Sequence, residues 1–232
     1  MEPLCIGVLG TARISPLSIV SPARATGHRL VAVAARDTGR AEHFAAEHGV
    51  ERVLPDYRSL LDDPEVDVVY NPLVNSRHAP LNIAALQQGK HVLTEKPSAC
   101  NAAEAREVRE AALTAERHLV EGFHYLHHPV FARLLELIDG GDLGSIVRTE
   151  VCMTMPEPDE SDPRWQLSLA GGATMDLGCY ALHASRMLGR RLGGEPAVIG
   201  AAARERRGHP GVDERLDAEP SPTALPAICL RT

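Results

Sequence analysis

The chain has 232 residues, enough for one large or two small domains, and its 44% hydrophobic and 24% charged content is that of an ordinary globular protein. A net charge of −7 and only 3% aromatic residues exclude a phosphate-tracking nucleic-acid surface and base-stacking platforms. The apolar run at residues 5–10 is too short for a signal peptide, and no stretch approaches a membrane span, so a cytoplasmic protein with no membrane partner is expected.

Taken in chain order, residues 4–9, 30–34, 66–70, 91–94 and 118–123 predict strands. The first four are short apolar runs without clean alternation, the pattern of strands buried on both faces. Helical segments fall between them at 40–48, 59–61, 79–88 and 102–115, and Asn101 with Glu104 supplies a capping box for the last. Alternating strand and helix implies right-handed crossovers and an α/β fold, a Rossmann-type doubly wound parallel sheet. A domain boundary is expected near Glu121, giving a nucleotide-binding domain over 1–121 and a second α/β domain over 122–232. In the second, a helix is predicted over 129–138, a strand over 146–153, a Pro- and acid-rich loop over 155–163 and a helix over 172–188. Residues 201–232 contain Pro210, Pro220, Pro222 and Pro226 and few apolar side chains, and are expected to form no core element.

The first strand runs into Gly7-Val8-Leu9-Gly10-Thr11-Ala12-Arg13-Ile14-Ser15. A strand, a Gly turn and then a helix is the setting of a dinucleotide fingerprint, although Ala12 and Ser15 replace its second and third glycines. Gly10 allows the tight turn, Ala12 keeps the backbone close to a pyrophosphate, and the amides of Thr11, Ala12, Arg13 and Ile14 at the helix N-terminus hold the anion. At the end of the second strand, an acidic residue would pair with the ribose 2′-hydroxyl of NAD, whereas an Arg suits the 2′-phosphate of NADP. Arg36 stands there, with Asp37 after it and Arg40 close behind, which favours NADP over NAD. Read instead as a solvated loop, the same three residues carry no cofactor contact.

Further along stand VYNPLVNSRHAPL (69–81), GKHVLTEKP (89–97), EGFHYLHHP (121–129) and GGATMDLGCY (171–180). With the N-terminal turn, these resemble the Gfo/Idh/MocA family of dehydrogenases over roughly residues 4 to 190. The Glu95-Lys96-Pro97 triplet is the most specific of these motifs. Within the family, the likeness is to dihydrodiol dehydrogenase and glucose–fructose oxidoreductase-like members, which generally use NADP. The resemblance implies a Rossmann domain followed by an α/β domain whose open sheet covers the nicotinamide. It also implies cofactor contacts from Leu73, Asn75, His78, Glu95 and Lys96, and catalytic roles for Lys96, Tyr180 and Asp176. Trp165 fits the run leading into the helix predicted over 172–188 and is a candidate substrate contact, as is His183 by its spacing from Tyr180. His124 and Leu126 depart from the family pattern.

Oxidising an alcohol needs a hydride acceptor and a base for the hydroxyl proton. Tyr180 can exchange that proton if a cation such as Lys96 lowers its phenol pKa from the ordinary value of ~10. Asp176, Tyr180 and His183 are spaced to share one helix face. Read otherwise, Tyr180 caps a core with its hydroxyl satisfied locally, and His78 is a satisfied loop residue. The HYLHH run at 124–128 has no completing carboxylate or Cys, so no metal is expected. The five cysteines (Cys5, Cys100, Cys152, Cys179, Cys229) lack a CxxC and suit reduced thiols.

The expected function is therefore NADP-dependent hydride transfer between the nicotinamide and a sugar, polyol or cyclic diol. A non-catalytic NADP-binding sensor, or an inactive remnant of the enzyme, is the alternative. The second domain is expected to be incomplete, cut short by a reading-frame shift near residues 218–220, because family resemblance ceases at Pro220. The expected partner is a small-molecule substrate; the resemblance also implies pairing with a second copy through the sheet of the second domain, which a shortened domain puts in question.

Overall fold

The computed structural model of the chain describes residues 2–194, 197–220 and 227–231. It divides into two compact units, Met1–Gly122 and Phe123–Thr232.

The first unit is a six-stranded parallel sheet of β1 (Cys5–Leu9), β2 (Arg29–Ala34), β3 (Arg52–Leu54), β4 (Val68–Asn71), β5 (His91–Thr94) and β6 (Leu119–Glu121). The order β3-β2-β1-β4-β5-β6 places the reversal of winding between β1 and β4, the position at which open α/β sheets bind ligands. A π-helical turn (Pro16–Val20) and α1 (Ser21–Thr26) link β1 to β2. The remaining connections are α2 (Thr38–His48), α3 (Tyr57–Asp62), α4 (His78–Gln87) and α5 (Ala102–Ala115). Val8, Val31, Val33 and Val69 are fully buried, and separate apolar clusters form around Phe44 with Ile19 and around Leu60 with Leu86. That is why the strand sequences are continuous apolar runs. Each fully buried aliphatic side chain stabilises the unit by roughly 1.5–3 kcal/mol.

Several boundaries differ from expectation for local reasons. Helix α2 begins at Thr38 rather than Arg40 because Asp37 caps it, accepting from the Arg40 amide at 3.0 Å. The three-residue strand β3 lies outside the expected elements: all its residues are half-buried and it pairs with β2 alone. The strand expected over 118–123 ends at Glu121. Asn101 does cap α5, accepting from the amides of Ala103 and Glu104, while Glu104 reaches back to the Cys100 amide.

The second unit contains α6 (Pro129–Asp139), β7 (Arg148–Cys152), a π-helical turn (Thr174–Gly178), α7 (Cys179–Arg191), β8 (Val198–Glu205), β9 (Asp213–Pro220) and β10 (Ala227–Arg231). Its four-stranded sheet has the order β7-β10-β9-β8; β10 runs parallel to β7 and antiparallel to β9, and β8 is antiparallel to β9. Three strands lie largely within 201–232, where no core element is expected; among their described side chains Ala218 of β9 is the one that enters an apolar cluster. Backbone pairing holds them: β8 is exposed along most of its length, so no apolar alternation marks it. Residues 221–226, the core of the segment at which family resemblance stops, lie outside the described residues, as does the side chain of Cys229. None of Cys5, Cys100, Cys152 and Cys179 forms a disulfide. Among the described residues, no helix is long and apolar enough to cross a membrane.

Candidate active site

Strand β1 delivers its last residue, Leu9, into a turn whose Gly10 has φ +77° and whose amide donates to the Ala34 carbonyl at 2.6 Å. That positive φ favours glycine, and a Cβ at Gly10 would stand 2.7 Å from Leu73 Cδ2, in the loop after β4, and push that side chain aside. Arg13 and Ile14 are exposed and Thr11 and Ala12 half-buried, at the start of the helical segment. The Arg40 guanidinium reaches back to the Thr11 carbonyl at 3.5 Å, and Arg36 is exposed just past β2. The turn thus has a glycine backbone, a helix N-terminus and two arginines within one unit, which fits a dinucleotide carrying a 2′-phosphate.

On the other side of the switch point, Leu73 leads into a short 3-10 turn (Asn75–Arg77) and α4. His78 is only 1% exposed; its Nδ1 lies 2.7 Å from the Pro97 carbonyl and its Nε2 2.8 Å from the Leu73 carbonyl. Burial holds its pKa below the ordinary histidine value, against the pull of both carbonyls, so the neutral ring donates to one of them. His78 therefore bridges the Leu73 loop and the Lys96-Pro97 turn as a buried strut. Glu95, after β5, has its amide bonded to the Asn71 carbonyl and its carboxylate accepting from the Tyr70 hydroxyl at 2.9 Å. Glu121, ending β6, accepts from the Ser98 amide at 2.7 Å, and burial raises its pKa.

In the second unit, the π-helical turn before α7 interrupts the α-helical spacing, and the partners of the three residues expected on one face divide. Asp176 pairs with Arg164 at 2.8 Å and, with Trp165, lines a cleft of about 270 Å³. Trp165 is 8% exposed, with Arg206 lying over its ring at 4.0 Å. Arg206 in turn bridges Glu157 and Glu160. Tyr180 and His183 share a different cluster, around Phe123. The His183 ring stacks on Phe123 with centroids 4.0 Å apart and its Nδ1 lies 2.7 Å from the Tyr125 hydroxyl. Tyr180 meets Phe123 edge-on, and its hydroxyl lies 3.4 Å from His124 Nδ1.

Two contributors, Arg164 and Tyr125, had no signal in the local sequence. Arg164 and Asp176 are twelve residues apart in the chain, with a turn between them. Tyr125 and His183 are 58 residues apart. Tyr70 reads as one more apolar strand residue, although a phenol near the end of a buried strand at the switch point is a detectable mark.

A family model described as an oxidoreductase family with an NAD-binding Rossmann fold matches residues 4–123, and one described as a GFO/IDH/MocA C-terminal domain matches 131–218. The chain is 38% identical over 185 residues to D-xylose 1-dehydrogenase (NADP(+)) 2 of Haloferax volcanii, covering 79% of this chain and 57% of that protein. It is 37% identical over 206 residues to dTDP-3,4-didehydro-2,6-dideoxy-alpha-D-glucose 3-reductase of Streptomyces antibioticus, covering 88% and 62%. A 3-ketoreductase of Actinomadura kijaniata, solved with NADP and TDP-benzene, superposes with a TM-score of 0.91 at 31% identity, over 99% of this chain and 70% of that one. The chain therefore spans less than two thirds of the length of these two curated relatives.

Proposed function

The chain belongs to the Gfo/Idh/MocA oxidoreductase family, and from that premise we propose that it is an NADP-dependent enzyme interconverting a hydroxyl and a carbonyl on a sugar, polyol or cyclic diol. The observation that carries the reading is the Gly10 turn at the switch point, with Arg40 reaching the Thr11 carbonyl and Arg36 exposed just past β2. The D-xylose dehydrogenase and the 3-ketoreductase, one named for NADP(+) and the other solved with NADP, support the same cofactor.

In this reading the amides of Thr11 to Ile14 bind the pyrophosphate and Arg36 and Arg40 bind the 2′-phosphate. Leu73, Asn75 and Glu95 line the nicotinamide half, and His78 steadies the loop that carries Leu73. When bound, NADP accepts or supplies the hydride. Tyr180 Oη takes the proton of the substrate hydroxyl or returns it to the carbonyl oxygen. Lys96 provides the positive charge that favours the phenolate. Asp176, oriented by Arg164, accepts a hydrogen bond from a substrate hydroxyl. His183, with Nδ1 engaged by Tyr125, offers Nε2, and Trp165 packs against the sugar ring. A homodimer formed through the second unit and a cytoplasmic location belong to the same proposal.

Fluorescence titration of the purified chain with NADPH and NADH tests the cofactor assignment. Tighter NADPH binding that weakens in Arg36→Ala is expected; indifference to the 2′-phosphate would remove it. Turnover of a diol and sugar panel, lost in Lys96→Ala and Tyr180→Phe, is expected of the enzyme. NADPH binding without turnover of any member would leave a non-catalytic binding protein.

A further inference from the structure

Three oxygen atoms connect the helix after the phosphate turn to the Glu95 turn. Ser18 Oγ lies 2.9 Å from the Ile14 carbonyl and 2.5 Å from Tyr70 Oη, and Tyr70 Oη donates to Glu95 Oε1 at 2.9 Å. Tyr70 is 1% exposed and belongs to the buried apolar cluster that holds Ile6, Val8, Ile19 and Val20. Burial and then the charge of Glu95 push its phenol pKa far above the ordinary value, so the hydroxyl remains a donor.

The three contacts have only two hydroxyl protons between them. The carboxylate is the strongest acceptor of the set, so the Tyr70 proton goes to Glu95. Ser18 then divides its own proton between the Ile14 carbonyl and Tyr70 Oη. The ring of Tyr70 fills apolar space that a phenylalanine fills equally well. Its hydroxyl does something a phenylalanine cannot: it holds one oxygen of Glu95, so that the other faces a fixed direction.

The topology says which half of a dinucleotide this concerns. A doubly wound sheet has two mononucleotide-binding halves. Here β1, β2 and β3 carry the Gly10 turn and the arginines, while β4, β5 and β6 carry Tyr70, Glu95 and Lys96. We propose that Tyr70, steadied by Ser18, is a positioning residue for the nicotinamide half of the cofactor, acting through the Glu95 carboxylate. The inference rests on the NADP reading above.

The test compares NADPH with adenosine 2′,5′-bisphosphate, which lacks the nicotinamide half, by calorimetry on the full chain. In Tyr70→Phe, NADPH affinity should fall about two- to tenfold, the range of one hydrogen bond. Adenosine 2′,5′-bisphosphate affinity should stay at the wild-type value. Glu95→Ala should weaken NADPH similarly, and the Tyr70→Phe/Glu95→Ala pair should be no weaker than Glu95→Ala alone, because one residue works through the other. Ser18→Ala, which leaves Tyr70 in place, should give a smaller loss of the same selectivity. Equal weakening of both ligands, full additivity of the pair, or wild-type NADPH binding in Tyr70→Phe would each overturn the proposal. A wild-type chain that binds neither ligand would overturn the NADP reading itself, and this inference with it.

Discussion

The hydroxyl of Tyr125 and Nδ1 of His183 are joined at 2.7 Å, a contact between the 3-10 turn that opens the second unit and the middle of α7. The pair fixes the imidazole against Phe123, and it makes His183 a residue whose titration is felt by the fold.

Burial, reinforced by Arg186 and Arg190, holds the His183 pKa below 6.5, and burial does the same to His78 and His91. A depressed folded pKa means that the unfolded chain binds more protons at mildly acidic pH. The associated stability is present above 6.5 and is lost as pH falls through the folded values. His209, raised by Glu160, acts in the opposite sense. The urea midpoint is expected to drop between about pH 7.5 and about pH 5.5, and His183→Asn to flatten part of that slope. An unchanged slope in the variant would assign the proton uptake to other groups.

Gly10→Ala combines a positive φ with a Cβ placed 2.7 Å from Leu73 Cδ2. The left-handed backbone costs a non-glycine residue roughly 1–2 kcal/mol, so NADPH affinity should fall by about tenfold or more. Adding Leu73→Ala relieves the clash and not the backbone strain, and should recover only part of the loss. Wild-type NADPH affinity in Gly10→Ala alone would show that the turn does not contact the cofactor.

Arg164 reaches Asp162 and Asp176 from a partly exposed position. If Asp176 orients substrate, Arg164→Ala should lower kcat/KM by about ten- to hundredfold, the range for a charged hydrogen bond. Arg164→Lys keeps the charge but loses the planar fork and should fall between. Kinetics in which only KM moves would make Asp176 a binding residue without a role in the chemical step.

Leu60 is fully buried beneath the sheet of the first unit, whereas Leu113 on α5 is 58% exposed. Leu60→Ala should destabilise the fold by about 2–5 kcal/mol. Leu113→Ala should change stability by less than about 0.5 kcal/mol. Chemical denaturation distinguishes them, and a small effect at Leu60 would contradict the packing described.

By itself the sequence determined the parallel sheet and the position of its phosphate turn. Strands buried on both faces must be written as apolar runs, and a glycine at the end of the first has one geometric use. It determined the family through motifs that lie within short segments, each kept together by its own strand end or helix start. The tertiary structure alone decided what depends on distant backbone meeting. The exposed strand β8 is held by pairing with the half-buried β9, and no side-chain period records that. It also decided that His78 is spent on two carbonyls, that Asp176 turns to Arg164, and that Tyr70 reaches Glu95. Hydrogen bonds between side chains far apart in sequence leave no spacing to read, because the partners are brought together only when the sheet and helices have packed.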